Sequence, residues 1–374
     1  MSGSFTKIKQ DMKKIYKIGL SSLLFGALMF VSFFVKAQST ADLSKLLQTT
    51  QQDASKLIGA YSAPVIKAVS YGMTGGWYHT GKTHNKFGVD FGVTISTVFI
   101  PTSDNYFNPA SLGLSSSTSY VGNTTNPGKG APTFSGPKDQ TSYSSTYDPD
   151  GTGPIPKQTI PFSGPQGLDL KKSIGFSAAP VPMAQLGFGL WFNTDIKLRY
   201  LPKIKSNESN VQMLGVGLMH DIKQWIPGVK ELPFDLSVLA AFTSFTGSTN
   251  LVIGPNTDGR PESKDGKISY KLNSWVGQIV ISKKVSVLTF YLGVGYGAVN
   301  TNVDVTGTFD IAVKDSGGFP AVVQIKDPAK IKFNNNGLKV TGGMRLKFGP
   351  IYLVGDYTLQ KYNSFAVGLG ASIR

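Results

Sequence analysis

The 374-residue chain contains no cysteine. Disulfides, thiolate nucleophiles, cysteine-based zinc sites and a lipid-modified N-terminal cysteine are therefore excluded. Histidine is nearly as scarce: an imidazole catalyst must use His79, His84 or His220, the three in the chain. Acidic residues are outnumbered, with 22 Asp and Glu against 37 Lys and Arg, a formal net charge of +15. Beyond the first 37 residues there is no run of about 20 apolar residues, which excludes a bundle of membrane-spanning helices.

Those first 37 residues read as a secretory signal peptide. Lys7, Lys9, Lys13, Lys14 and Lys17 make a basic start, Ile18 to Val35 is nearly all apolar, and Val35-Lys36-Ala37 offers small residues for cleavage. Removal leaves a chain starting at Gln38; an uncleaved anchor is the alternative. Taking away six Lys and one Asp with the leader leaves 31 basic against 21 acidic residues, so the exported chain stays basic. With no basic helix and no RNA-type aromatic motif, nucleic acid is not an expected partner. Outer-membrane lipid, with its anionic headgroups, is the expected counter-charge.

What fills the rest is alternation. In "LGFGLWFNTDIKLRYLP", residues 186–202, Leu186, Phe188, Leu190, Phe192, Ile196, Leu198 and Tyr200 share one parity, while Trp191, Asn193, Asp195, Lys197 and Arg199 fill the gaps. A period of two sends successive side chains to opposite faces of a strand, so one face is apolar and the other polar. Residues 87–100 repeat the pattern with Val89, Phe91, Val93, Ile95 and Phe99 against Asp90 and small residues. Residues 338–348 set Leu338, Val340, Met344, Leu346 and Phe348 against Lys339, Thr341, Arg345 and Lys347, and the last ten residues alternate too.

The alternation predicts ten strands, at 87–100, 168–178, 184–200, 209–222, 232–246, 267–282, 285–303, 332–348, 351–360 and 364–374, joined by connections that alternate long and short. Even count and unequal connections are those of an antiparallel transmembrane β-barrel with long extracellular loops and short periplasmic turns. A soluble sandwich also alternates, but the polar face here is too rich in glycine and single charges to be its core. Phe99, Tyr200, Tyr270, Phe348 and Tyr362, near strand ends, are expected in interfacial girdles.

Two regions break the pattern. Residues 38–86 carry apolar residues at helical spacing, which predicts an amphipathic helix from Thr40 to about Leu57, started by Ser39 and Asp42, and a second short helix from Pro64. Leu43, Leu46, Leu47, Leu57 and Trp77 are expected in a plug folded into the lumen, or in a periplasmic segment. The loop 101–167 holds 43 Ser, Thr, Gly, Pro or Asn among its 67 residues. Its "DPDGTG" at 148–153 resembles the opening of a calcium loop, but Thr159 stands where the closing Glu belongs, so a plain turn is the better reading. The expected domains are thus a signal peptide (1–37), a helical segment (38–86) and a barrel (87–374). Catalysis is not expected, nor a cofactor or metal: "HTGKTH" at 79–84 has no acidic neighbour in sequence, and His220 lies at a strand end.

"GWYHTGKTH" (76–84), "DIKLRYLP" (195–202), "HDIKQWIPGVKELPFDLSVLA" (220–240) and "YTLQKYNSFAVGLGASIR" (357–374) together resemble an uncharacterised Bacteroidota outer-membrane β-barrel family, a domain of unknown function. The resemblance implies a barrel in the outer membrane, and no functional residues, since that family carries no established activity. A helical segment ahead of a barrel is also similar in plan to FadL-type hydrophobic-compound channels, which place a hatch inside the lumen.

Two functions fit. One is a passive channel or binding protein for a small hydrophobic or anionic solute, lined by Asp90, Asp195, Lys197, Arg199, Lys339, Arg345, Lys347 and Asp356. The other is a non-transporting structural, adhesion or partner-holding protein in which those charges pair across strands and fill a closed lumen.

Overall fold

A sheet with one lipid-facing side cannot leave its edges open, because hydrocarbon offers nothing to an unpaired N–H or C=O. In the computed structural model, which describes residues 45–147, 156–205, 209–251 and 262–373, the sheet closes on itself. Helix α1 (Gln51–Met73) precedes strand β1 (Val89–Phe99). A long connection follows, holding β2 (Tyr106–Phe107), β3 (Thr118–Asn123), β4 (Ala131–Pro132), β5 (Thr141–Tyr147), β6 (Gln158–Ser163) and helix α2 (Leu170–Ile174). Next come β7 (Ala178–Gly189), β8 (Thr194–Lys205), β9 (Ser209–Asp221), β10 (Asp235–Leu251), β11 (Glu262–Val285) and β12 (Leu288–Lys314). The short β13 (Pro320–Lys326) folds back on β12, and β14 (Ala329–Phe348), β15 (Ile351–Leu359) and β16 (Ser364–Ile373) complete the chain.

Ten of these strands form the barrel, in the order β11-β10-β9-β8-β7-β1-β16-β15-β14-β12, and the β11–β12 ladder closes the ring. All pairings are antiparallel. Val89 lies opposite Ile373, so both ends of the barrel sequence sit at one rim, together with the tight turns at 190–193, 286–287 and 349–350. The opposite rim carries the connection 100–177 and the extensions of β11 and β12.

The alternation is spent as a membrane barrel requires. Leu198, Leu214, Val216, Leu218, Leu292, Val294, Leu353 and Val367 are exposed on the outer surface, while the residues between them are buried. Phe87, Trp191, Phe192 and Trp225 are exposed at the rim that holds the strand termini, and Lys86 lies over the rings of Phe87 and Trp191 at 4.9 and 4.8 Å. Aromatic rings with a nearby cation suit the level of lipid headgroups.

The strand count of ten agrees with the sequence pattern, but two boundaries do not. Residues 184–200 are a hairpin and not one strand: Phe192 and Asn193 take φ of 57° and 51°, left-handed backbone that reverses the chain within residues 190–193, and the Leu190 N–H donates to Thr194 O at 2.7 Å. The turn reverses the backbone without disturbing the parity of apolar residues, so the pattern hides it. Residues 168–178 hold α2 in place of a strand. Two expected girdle aromatics also turn inward. Tyr270 stacks on Phe245 at 5.9 Å, and Tyr362 is buried with its hydroxyl donating to the Asp104 carboxylate.

Helix α1 differs from expectation as well. It starts at Gln51, where the Thr50 hydroxyl accepts from the Asp53 N–H at 3.3 Å, and it runs through Pro64 without breaking. An internal proline costs a helix about 3 kcal/mol through its missing N–H. Here the packing of Leu57, Ile58, Tyr61, Ala68 and Met73 outweighs it, all of them buried. Lys45–Leu47 forms a single 3-10 turn before it. Thr40, Leu43, the leader at 1–37 and the "DPDGTG" run fall outside the described residues.

The connection 100–177 is ordered where it is described. β3, β5 and β6 form one small sheet, with Tyr143 and Phe162 stacked at 5.2 Å, and β2 pairs β4. Asp139 gathers three donors: Tyr106 OH at 2.8 Å, Asn123 Nδ2 at 3.0 Å and Asn126 Nδ2 at 2.8 Å. Burial acts to raise this carboxyl's pKa, but the three hydrogen bonds outweigh it and hold it below the ordinary carboxylate value.

Candidate functional site in the barrel interior

The polar parity of the strands faces the lumen, and residues 45–88 meet it there. Near the loop-bearing rim, Leu46, Leu47 and Leu57 pack with Leu251, Val303, Phe309 and Ile331 of the extended strands and with Tyr143 and Phe162 of the connection. Deeper, Met73 packs with Val181, Met183, Met213, Leu272 and Val299. At the other end Trp77 and Tyr78 join Met219, Leu239, Val276, Val280 and Tyr291. Two wall glycines make the aromatics fit: a Cβ at Gly217 would lie 3.0 Å from the Trp77 ring, and one at Gly293 would overlap the Tyr78 hydroxyl. The segment therefore passes along the lumen from one rim to the other.

The end of a helix leaves carbonyls without donors and a partial negative charge. Two wall cations answer that need. Arg199 Nη1 donates to Met73 O at 3.0 Å and Nη2 to Gly75 O at 2.5 Å, while Nε donates to Gln185 Oε1 at 3.1 Å. Lys339 Nζ donates to Thr74 O at 2.8 Å and to Thr74 Oγ1 at 3.2 Å. Asn335 Nδ2 reaches Ser70 Oγ at 3.2 Å and Gln185 Nε2 reaches Trp77 O at 3.1 Å.

Toward the other rim the acids of the wall take over. The Asp195 carboxylate accepts from the His84 N–H at 2.8 Å and lies 2.8 Å from His84 Nδ1. Asp90 Oδ2 lies 3.2 Å from His79 Nε2 and 3.8 Å from Arg345 Nη2, and Asp90 Oδ1 accepts from Tyr352 OH at 2.9 Å. His79 stacks on Tyr352 at 4.4 Å, and the Arg345 guanidinium covers the same ring at 4.1 Å. Ser237 Oγ donates to Gly81 O at 2.6 Å and the Gly81 N–H donates to Ser282 Oγ at 2.8 Å, so the backbone of the segment is held too.

Of the residues singled out in the sequence, Asp90, Asp195, Lys197, Arg199, Lys339, Arg345 and Asp356 are buried on the inner face. Lys347 is half-buried near the rim, where Nζ donates to Ser372 O at 2.9 Å. Asp356 accepts from Tyr291 OH at 3.0 Å, and Lys197 Nζ lies 3.9 Å from Asp195 Oδ2. The set is divided: Arg199, Lys339 and Asp195 bond to the inserted segment, whereas Arg345, Asp356 and Lys347 meet other wall strands and Asp90 does both. His79 and His84, which have no acid beside them in sequence, have Asp90 and Asp195 beside them in space. Among the described residues no group of three or more His, Cys, Asp or Glu is arranged to hold a metal. Gln185, Tyr352 and Thr74 belong to the site and carry no sequence signal beyond ordinary strand or loop composition.

A closed antiparallel ring of ten strands, apolar outside and polar within, is the architecture of an outer-membrane β-barrel protein, and this chain is one. The chain belongs to the Family of unknown function (DUF6588), whose model matches residues 12–373. No curated protein matches it. Among solved structures it is similar to Ail, the attachment invasion locus protein of Yersinia pestis, at 6% identity over 77% of this chain and 100% of that one, with a TM-score of 0.24. It is similar also to the translocator domain of the autotransporter NalP from Neisseria meningitidis, at 9% identity over 84% and 96%, TM-score 0.28. The outer membrane transporter YddB from Escherichia coli matches at 11% identity over 77% of this chain and 43% of that one, TM-score 0.28. At such scores no residue or activity carries over from them.

Proposed function

We propose that this protein is a non-conducting outer-membrane barrel, closed by its own N-terminal segment, that holds a folded cap on the cell surface for contact with a partner. The observation that supports it most is the fate of the lumen charges. In a channel for a small hydrophobic or anionic solute, Arg199 and Lys339 would face the path; here they donate to backbone carbonyls at the end of α1. Breaking those bonds strands buried polar groups on both sides, which makes opening costly.

The cap is the second support. Asp53 of α1 accepts from the Ser115 N–H at 2.9 Å and from Ser115 Oγ at 2.5 Å, Tyr61 OH donates to Gln166 O at 2.9 Å, and the Phe134 N–H donates to Tyr61 O at 2.9 Å. The helix thus staples the connection 100–177 over the barrel. Long connections of outer-membrane barrels lie outside the cell, so the cap faces outward.

The test is conductance. The full-length protein, reconstituted in a planar bilayer and shown to be inserted by its heat-modifiable migration, is expected to stay electrically silent. Steady ohmic conductance from the intact chain would refute the closed reading and restore the channel.

A further inference from the structure

Three lysines of the outer wall, Lys271, Lys330 and Lys332, lie together on β11 and β14, the two strands that flank β12. Along β11, β12 and β14 the outward residues form rows fixed by the strand register. Ile279 is level with Val294 and Val340, then Gly277 with Tyr296 and Leu338, then Trp275 with Ala298 and Asn336. The outward residues from Leu288 to Ala298, at ~3.4 Å per residue and a strand tilt of ~40°, span roughly 25 Å, the height of an apolar band. Immediately beyond stands a row of amides: Asn273, Asn300 and Asn334. The next row is Lys271, Asn302 and Lys332, and the one after it sets Asp304 beside Lys330.

Lys271, Lys330 and Lys332 are exposed, and the residues between them in sequence, such as Leu272 and Ile331, are buried against the interior. Their ammonium groups therefore leave the barrel on its lipid side and not toward the cap. Lys271 and Lys332 are two strands apart, about 10 Å, within reach of one another's headgroup when both side chains extend. None of the three forms an ion pair among the described residues. Asp304 is the one carboxylate in these two rows, so positive charge is in excess. Two rows above an apolar band, on the outer wall, the groups such lysines meet are lipid headgroups.

We propose that this wall binds the phosphate groups of outer-leaflet lipid through Lys271, Lys330 and Lys332, with Asn273, Asn300, Asn302 and Asn334 supplying hydrogen bonds to the sugar or ester region below. The inference rests on the outer-membrane reading, which it refines by naming a lipid contact and the side of the barrel that makes it. It places the loop-bearing rim in the leaflet that carries phosphorylated glycolipid. A patch of this kind also fixes the barrel's height and rotation relative to its lipid, because it lies on three of the ten strands.

The test uses the full chain in vesicles of phosphatidylcholine doped with a bisphosphorylated glycolipid or with the same glycolipid after dephosphorylation. Glycolipid retained by the protein after detergent extraction is measured for the native chain, for K271Q/K330Q/K332Q, and for K283Q/K284Q at the opposite rim. The native chain and the K283Q/K284Q variant are expected to retain the bisphosphorylated form selectively. The triple variant is expected to lose it by roughly a hundredfold in apparent affinity at low salt, from about fivefold per lysine. Equal retention by the triple variant, or of the dephosphorylated lipid, would overturn the proposal, as would complete displacement by millimolar inorganic phosphate. Heat-modifiable migration is scored on every sample, so failure to insert, which would count against the membrane reading itself, is separated from insertion without selectivity.

Discussion

The guanidinium of Arg199, from the barrel wall, lies 3.7 Å from the centre of the Trp77 ring, in the segment that fills the lumen. Wholly buried, the same group donates to Met73 and Gly75 carbonyls. One wall residue thus stacks on the segment and caps its helix.

Replacement of Arg199 by Gln leaves both carbonyls and the Trp77 face without their partner. The expected cost is roughly 2 to 4 kcal/mol of unfolding free energy, read as a lower midpoint in urea titrations of the vesicle-embedded protein. An Arg199→Gln protein as stable as the native one would show that the capping geometry contributes nothing.

The path of the segment through the lumen has a topological consequence. Gln52, exposed near the start of α1, belongs to the rim with the cap, whereas Val287 belongs to the rim with the tight turns. Because the chain has no cysteine, single cysteines report without background. A membrane-impermeant maleimide on intact cells is expected to label Gln52→Cys and to spare Val287→Cys. The reverse pattern would invert the orientation.

Asp53 is buried and joins α1 to Ser115. Its desolvation acts to raise the carboxyl pKa, but the hydrogen bonds, led by those from Ser115, prevail and hold it low. An Asp53→Ala change removes the acceptor and is expected to cost roughly 2 to 3 kcal/mol in the attachment of the cap. Limited proteolysis should then cut within 100–177 faster while the barrel fragment stays intact. Unchanged protection of the connection would mean that other contacts hold the cap alone.

How much of this was readable in the chain differs by element. The inner and outer faces were legible because side-chain parity is a local property: Asp195, Lys197 and Arg199 had to share one face wherever the strand lay. The hairpin at 190–193 was not, because Leu190 and Phe192 keep the same parity through the turn. Pro64 argued for two helices, and the packing of Tyr61 and Ala68 on either side of it makes one.

By itself the sequence determined that the chain is free of thiol chemistry and built of two-faced strands, both of which follow from composition and a period of two. What only the tertiary structure decided is who meets whom in the lumen. His84 and Asp195 are 111 positions apart and Lys339 and Thr74 are 265 apart, and no local pattern records either contact. Closing the ring decides them: once β11 pairs with β12, every inward side chain is confined to a single narrow volume. The backbone that fills that volume then takes up hydrogen bonds that Arg199, Lys339 and Asp195 have lost to water.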